Sequence, residues 1–370
     1  MRIGIDIHAV EQDGSGNCTY MRGLVQGLAR VDTGNEYVLY GTRLEHPFYE
    51  TLRRLRRFEI RRLWPGVAPL RIPLTLAMRS ALDRLDLLHV QYGGPPWLRG
   101  RLVSTIHDAA FAVVPETFSP SERLWMPRLI RLTARRATMV LTGSEFARRH
   151  VAGWAGIPIE RVCVTYYGVG PEFAPVPAGP ARDAVLARYG ISSPFVLSLG
   201  RLNLRKNLLR VVEAFERLAR PGLQLVIGGV ADSHSDVLAK RLQDSPSRAA
   251  IRRVGFIAAA DLPAVLSAAA VFVYPSLFEG FGLPPLEAAA CGAPVIASNV
   301  TALPEVLGDG ALLVDPTDTE AVATALERTL TDGELRAELR RRGLQRAAQF
   351  TWDAAAQRTL AAYSQAAASE

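Results

Sequence analysis

Two carboxylates with seven residues between them, Glu279 and Glu287, stand in a stretch suited to close contact with a ligand. The run Phe272-Val273-Tyr274 reads as a buried strand, and the residues from Pro275 onward read as a loop that enters a helix. Pro284 or Pro285 suits a first helical turn, because the N–H that proline lacks would be unpaired there anyway. Gly280 and Gly282, on either side of Phe281, let the backbone come close to a ligand. Free N–H groups at the helix start, near Leu283, can hold an anion. Glu279 falls in the loop and Glu287 about one turn into the helix, so both can reach one ligand at different places. Carboxylates accept hydrogen bonds well from vicinal hydroxyls, and a sugar at Glu279 with a ribose at Glu287 fits that chemistry. The helix dipole alone would account for Glu287. It does not account for an acid followed by Gly-Phe-Gly-Leu-Pro directly after a buried strand.

Cations cluster in a second strand-to-helix turn, Gly200-Arg201-Leu202-Asn203-Leu204-Arg205-Lys206-Asn207. Arg201 and Lys206 are placed to converge on a diphosphate, one as a planar fork and the other as a point charge. One of only two lysines in the chain sits here, although arginine is otherwise used throughout. Nearer the start, Asp13-Gly14-Ser15-Gly16-Asn17 forms a glycine-rich turn that can present N–H groups to phosphate, with Gly16 the candidate. Thr105-Ile106-His107-Asp108 ends a strand, and Ser144 reads as a helix N-cap.

Glu279 to Glu287, together with Glu279-Gly-Phe-Gly-Leu-Pro and Ala290-Cys-Gly-Ala-Pro-Val, resembles the E-x7-E region of the family 4 glycosyltransferases, and further blocks follow in order over nearly the whole chain. The resemblance implies the GT-B fold: two Rossmann-like domains facing a central cleft, with retaining transfer from a nucleoside-diphosphate sugar. It implies diphosphate roles for Arg201 and Lys206, with Arg205 as a further cation, and a place for Gly16 against the donor phosphates. His107 would stand beside the reacting sugar, and the block continues through Phe111 and Pro115-Glu116. Arg148 would lie near the acceptor, and the backbone at Ile257 would meet the base. The look is nearest to bacterial mannosyltransferases, which makes GDP-mannose the first donor to consider. Retaining enzymes of this kind lack a well-placed enzymic nucleophile, so the leaving phosphate itself would take the acceptor proton. No cofactor and no metal is expected, and there is no Asp-x-Asp pair to bridge a metal to a diphosphate.

These residues need a scaffold that brings strand ends together. Continuous apolar runs at Ile3–Ile7, Tyr37–Tyr40, Leu87–Gln91, Leu102–Ile106, Met139–Thr142 and Val162–Val164 alternate with helical patterns such as Tyr20–Arg30 and Arg123–Arg136. That is the mark of a parallel sheet covered on both faces. After a Gly/Pro-rich stretch at 168–180 the alternation restarts, with strands at Phe195–Leu199, Leu223–Ile227, Ile251–Phe256, Val271–Tyr274 and Pro294–Ala297. We read two doubly wound α/β domains, 1–170 and 171–351, with a last helix over 352–370 returning to the first. In such sheets ligands bind beyond the carboxyl ends of the strands, where the candidates lie.

A chain of 370 residues with 49% hydrophobic and 21% charged residues is ordered and long enough for two cores. Three scattered cysteines form neither a metal cluster nor a disulfide framework, and no apolar run suits a bilayer span or signal peptide. The expected location is cytoplasmic, peripheral at a membrane if the basic half binds one. Residues 1–170 hold 23 arginines against 15 acids, while residues 171–370 hold 20 bases against 21 acids. The one-sided charge suggests an anionic partner such as a lipid phosphate or membrane surface, with Leu52–Trp64 and Arg123–Arg136 as candidate surfaces. Either stretch also reads as a helix with its apolar stripe on the sheet and its arginines in water. The expected partners are a nucleotide sugar and a glycan or lipid-linked acceptor, not nucleic acid. An epimerase or phosphorylase on the same scaffold, or a non-catalytic relative, are the alternatives. A dehydrogenase is disfavoured, since no G-x-G-x-x-G follows a strand with an acid downstream.

Overall fold

The computed structural model describes residues 1–12, 14–115, 118, 120–231 and 235–368, the side chains of Pro69, Pro120 and Ser121 excepted. Asp13 of the glycine-rich turn and Glu116 of the block after His107 lie outside the described residues. The chain divides into two units, Met1–Gly168 with Thr351–Glu370, and Val169–Phe350.

The apolar runs of the first unit become β1 (Arg2–Asp6), β2 (Glu36–Gly41), β3 (Phe58–Arg62), β4 (Leu87–Gln91), β5 (Arg101–Thr105), β6 (Met139–Thr142) and β7 (Val162–Val164). They form one parallel sheet in the order β3-β2-β1-β4-β5-β6-β7. Strand order therefore reverses between β1 and β4. Helices α1 (Gly16–Val31), α2 (Pro120–Arg136) and α3 (Glu145–Ala155) connect strands, and the final helix, Trp352–Ala368, packs along α1. Gly23 and Gly27 make that packing possible: a Cβ on Gly23 would fall 2.0 Å from the Trp352 ring, and one on Gly27 would fall 2.4 Å from the Trp352 carbonyl. Arg30 and Asp353 add an exposed ion pair at 2.6 Å. On the sheet's other face, Leu76, Leu98, Ile130, Ala134 and Val151 close over Val38, Leu88 and Val90.

The basic stretch at 52–64 is not the amphipathic helix that its composition suggested. A short helix ends at Arg53, and 58–62 is the edge strand β3. Its residues alternate, with Phe58 buried against Tyr37 and Glu59 exposed, because a period of two carries one side chain in and the next out.

The second unit carries β8 (Phe195–Leu199), β9 (Gln224–Gly228), β10 (Ile251–Gly255), β11 (Val271–Tyr274), β12 (Val295–Ser298) and β13 (Leu312–Val314). All are parallel, in the order β10-β9-β8-β11-β12-β13, so the reversal falls between β8 and β11. Helices α4 (Leu208–Leu218) and α5 (Leu283–Ala290) are among its crossovers, and α6 (Thr319–Thr331) follows the last strand. Leu208, Val211, Val212 and Phe215 recur at helical spacing on α4 and fill a core with Val196, Leu225, Val273, Val322 and Leu326. Among the described residues, no helix of either unit is long and apolar enough to cross a membrane.

Candidate functional site

The reversal of strand order leaves a crevice beyond the ends of the two central strands, because their connections depart in opposite directions. In the second unit those strands are β8 and β11, and each feeds one of the two loops singled out from the sequence. Asn207, in the left-handed conformation at φ +57°, turns the loop after β8 into α4. Its amide donates to the carbonyls of Pro275 at 3.1 Å and Pro316 at 2.7 Å. The Leu277 N–H and the Ser276 hydroxyl both donate to the Arg205 carbonyl, at 2.9 and 3.1 Å. These bonds join the two loops, although about seventy residues separate them in sequence.

Lys206 and Glu279 consequently meet inside the protein. Lys206 Nζ lies 2.5 Å from Glu279 Oε1, and both residues are buried. The same oxygen accepts from Ser276 Oγ at 2.6 Å and Tyr274 Oη at 3.1 Å, while Lys206 also bonds Tyr274 Oη. Glu279 Oε2 takes Arg205 Nη1 at 3.3 Å, and that guanidinium also holds the Phe278 carbonyl at 2.7 Å. Burial by itself would raise the Glu279 carboxyl. The charges of Arg205 and Lys206, with the hydrogen bonds from Lys206 and Ser276, outweigh it and hold the group down at about 2.

Arg201 is not part of this cluster. It is exposed and its guanidinium makes no hydrogen bond or ion pair among the described residues, so the cation that joins Lys206 at Glu279 is Arg205. The reason is local. Leu202 is buried and bridges to Ala231, and in extended backbone its neighbour must point the other way. Arg205 and Lys206 belong instead to the tight turn Leu204–Lys206, which aims both at one carboxylate.

Glu287, the fifth residue of α5, has the opposite character. Its carboxyl accepts no hydrogen bond from any described residue. Burial, with the nearby charge of Glu172, pushes it up to about 7. One acid of the pair is thus locked in the ionised form, and the other is poised between forms with its acceptor oxygens unused. Gly282 adopts φ +100°, a left-handed conformation that favours glycine, and a Cβ there would meet Leu303 at 2.4 Å. Phe281 turns inward, edge-on to Phe350, so toward a ligand this loop offers backbone rather than a side chain. Gly280 is buried and Leu283 half-buried. Of the first three residues of α5 only Leu283 carries an N–H, because Pro284 and Pro285 follow it, so this helix start is a poorer anion cradle than a generic one. The Ile257 side chain is buried, within reach of Gly228, which leaves its backbone as the part able to meet a base.

In the first unit, Gly16 is the first residue of α1, and a Cβ there would meet nothing within 4 Å. Protein packing does not explain a glycine at that place. Ser15 caps α1 by accepting from Cys18 N, and Ser144 caps α3 by accepting from Ala147 N. Arg148 holds Glu145 and the Ile159 carbonyl. His107, just past β5, is buried with both ring nitrogens engaged: Nε2 lies 2.8 Å from Gln91 Oε1 and Nδ1 lies 2.6 Å from Tyr167 Oη. Gln91 Nε2 reaches the Asn17 carbonyl at 3.5 Å, so its Oε1 is the acceptor, and the His107 proton belongs on Nε2. Burial, with His89 nearby, lowers the imidazole to about 3 and keeps it neutral. A sugar hydroxyl can reach either ring nitrogen only by displacing Gln91 or Tyr167.

Sequence reading passed over Asp6, at the carboxyl end of β1, where the first sheet reverses. Asp6 is buried against Arg71 at 3.0 Å and His8 at 2.9 Å. Burial would raise it, but these partners hold it at about 2. An acid closing the apolar run Ile3-Gly4-Ile5 was a visible signal, whereas nothing local marked Arg71 as its partner. Tyr274 and Ser276, which donate to Glu279, were likewise legible only as strand end and loop.

The sequence model described as "Glycosyl transferases group 1" matches residues 188–346, and that described as "Glycosyltransferase Family 4" matches residues 15–173. The chain is 34% identical over 295 residues to the O-antigen chain mannosyltransferase B of Escherichia coli, covering 77% of each protein. It is 32% identical over 266 residues to the serotype-specific mannosyltransferase WbdA of Escherichia coli, which takes in 70% of this chain but only 32% of that longer protein. The structure superposes on sucrose-phosphate synthase from Thermosynechococcus elongatus with a TM-score of 0.79 at 24% identity, covering 99% of this chain and 98% of that one, a likeness of fold.

Proposed function

The chain belongs to the family 4 glycosyltransferases, and from that membership we propose that it moves a mannosyl group from GDP-mannose to a glycan or lipid-linked acceptor, with retention of anomeric configuration and without a metal ion. The observation that carries this reading is the pairing of Lys206 and Arg205 with Glu279, eight residues before the unpartnered Glu287, at the reversal point of the second sheet. The mannosyl group rests on likeness to two proteins named as mannosyltransferases.

In this reading the bond from sugar C1 to the diphosphate oxygen breaks, and the acceptor oxygen bonds C1 on the face the diphosphate leaves. The acceptor proton passes to the departing phosphate oxygen. Negative charge grows on the diphosphate as it leaves, and Lys206, Arg205 and the exposed Arg201 are the groups that offset it, taking the part a metal would otherwise play. Glu279 Oε2, with one protein donor, accepts from a sugar hydroxyl, and the unused oxygens of Glu287 accept from the ribose. Gly16 supplies open backbone for the phosphates, and Ile257 meets the base. His107, fixed as a neutral Nε2–H tautomer, orders Gln91 and the turn at Asn17 rather than moving a proton.

The test is turnover. GDP-mannose should raise the melting temperature by mass action and release GDP only when a glycan acceptor is present, with EDTA leaving the rate unchanged. The product linkage, read by proton NMR, should be α. Turnover with UDP-sugars alone, release of GDP without acceptor, or a β product would overturn the corresponding part of the proposal.

A further inference from the structure

The first unit exposes apolar side chains in a pattern that its own core does not use. From Ala68 to Leu82 the chain runs helically through Ala68–Leu70, the wide turns of Arg71–Leu76, and Ala77–Leu82. Val67, Leu70, Leu74, Met78 and Leu82 recur every three or four residues along it, each between 46 and 65% exposed. The opposite side holds Arg71, Thr75, Leu76 and Ser80, all buried. A helical segment normally turns its apolar stripe inward, and this one buries mostly polar side chains and presents its apolar stripe to solvent.

A neighbouring element repeats the pattern. On α2, Leu124, Trp125 and Leu132 are about half exposed or more, whereas Ile130 and Ala134 fill the core. The two elements flank the same residue: a Cβ on Gly93 would lie 2.8 Å from Leu129 of α2 and 3.8 Å from Ile72. Trp97, 73% exposed, stands in the adjoining loop, which the Arg136 guanidinium ties to α2 through the Leu98 carbonyl. Patches of this kind on a folded chain mark an interaction surface.

Charge identifies the occupant. Helix α2 carries five arginines, all exposed, against the single acid Glu122. Exposed Arg99 and Arg101 extend the basic edge. In a two-fold dimer, the commonest pairing of identical chains, a second copy would meet this face with the same face, setting arginine against arginine. A sheet of anionic headgroups over acyl chains complements it: arginines meet phosphate, tryptophans sit at the headgroup level, and the aliphatic stripe enters the boundary below. We propose that the 67–82 stripe and the outer side of α2 together form a surface that docks on an anionic lipid bilayer. The proposal keeps the candidate surface at Arg123–Arg136 and puts the 67–82 stripe beside it in place of the basic stretch 52–64. It stands independently of the donor assignment.

The experiment is flotation of the full chain with vesicles of phosphatidylcholine alone and with about 30% phosphatidylglycerol. The chain should float with the anionic vesicles and stay largely behind with the neutral ones. Leu74→Glu with Met78→Glu should weaken binding about tenfold or more, since two side chains that enter the acyl boundary become charged. Arg123→Glu with Arg128→Glu should remove the preference for anionic lipid. All four side chains are partly or wholly in water, and unchanged melting temperatures would show both variants folded; the arginine pair also serves alone if the other melts early. Absence of anion-dependent flotation, or flotation that neither variant alters, would overturn the proposal. So would light scattering that shows a dimer which the Leu74/Met78 variant splits, because the surface would then belong to a second copy.

Discussion

Replacing Glu279 by glutamine tests the organisation of the site directly. The substitution keeps shape and removes charge, leaving Arg205 and Lys206 buried beside a neutral amide. Moving the carboxyl from 4.5 to about 2 corresponds to about 3 kcal/mol of stabilisation of the folded second unit. Breaking a buried pair from one side costs a similar ~3–5 kcal/mol. Glu279→Gln should therefore lower stability at pH 7.5 by about 3 kcal/mol, and Lys206→Met by a like amount. The double variant should lose clearly less than the sum, because each single change strands the other partner. The folded carboxyl titrates below the unfolded one, so its contribution is fully present above about 4.5 and is lost as pH falls through about 2. The gap between the native chain and Glu279→Gln should shrink to about 2 kcal/mol by pH 3.5. Tryptophan emission is the wrong probe, since all five tryptophans belong to the first unit. Amide hydrogen exchange in β8 and β11 through a urea series reports on the correct unit. Equal stability of Glu279→Gln and the native chain, an additive double variant, or a gap that widens in acid would refute the buried pairing.

Two further outcomes follow from the same geometry. Glu287 titrates higher in the folded chain, at about 7, than its ordinary 4.5, so the folded form is favoured below 4.5 and loses that advantage as pH rises through 7. Glu287→Gln should then be more stable than the native chain by up to about 3 kcal/mol at pH 8, with no gain at pH 4, while calorimetry records weaker nucleotide-sugar binding; a variant destabilised at pH 8 would contradict the unpartnered carboxyl. Gly23→Ala places a methyl 2.0 Å from the Trp352 ring and should cost the first unit about 1–3 kcal/mol in thermal unfolding, whereas a neutral result would mean that the final helix packs less closely on α1.

Much of this molecule was written locally. Short apolar runs such as Phe195–Leu199 and Val271–Tyr274 have no choice but a buried strand, since they are apolar on both faces and too short for a core helix. Ser144 sits where a cap oxygen is needed, and Pro284 and Pro285 sit where a helix begins. The spacing of Glu279 and Glu287 fixed which helix turn carries the second acid. Local pattern misled where two periods compete, as in 52–64, where charge suggested a helix and the alternation of Phe58, Glu59 and Ile60 won as an edge strand. The short strand β13 (Leu312–Val314), with only its last residue buried, carried too weak a signal to be anticipated.

Partnership was the tertiary structure's decision. Nothing within a few residues of Lys206 states that its counterion lies seventy-three positions onward, or that Arg205 rather than Arg201 completes the pair. That follows from β8 and β11 lying side by side at the reversal of strand order, which brings two sequence-distant loops within hydrogen-bonding reach. The same holds for His107, whose availability depends on Gln91 and Tyr167, and for Arg71 on Asp6. Periodicity encodes which face a residue turns inward; burial and long-range pairing then set its charge state, because desolvation and neighbouring charges exist only once the sheets have formed.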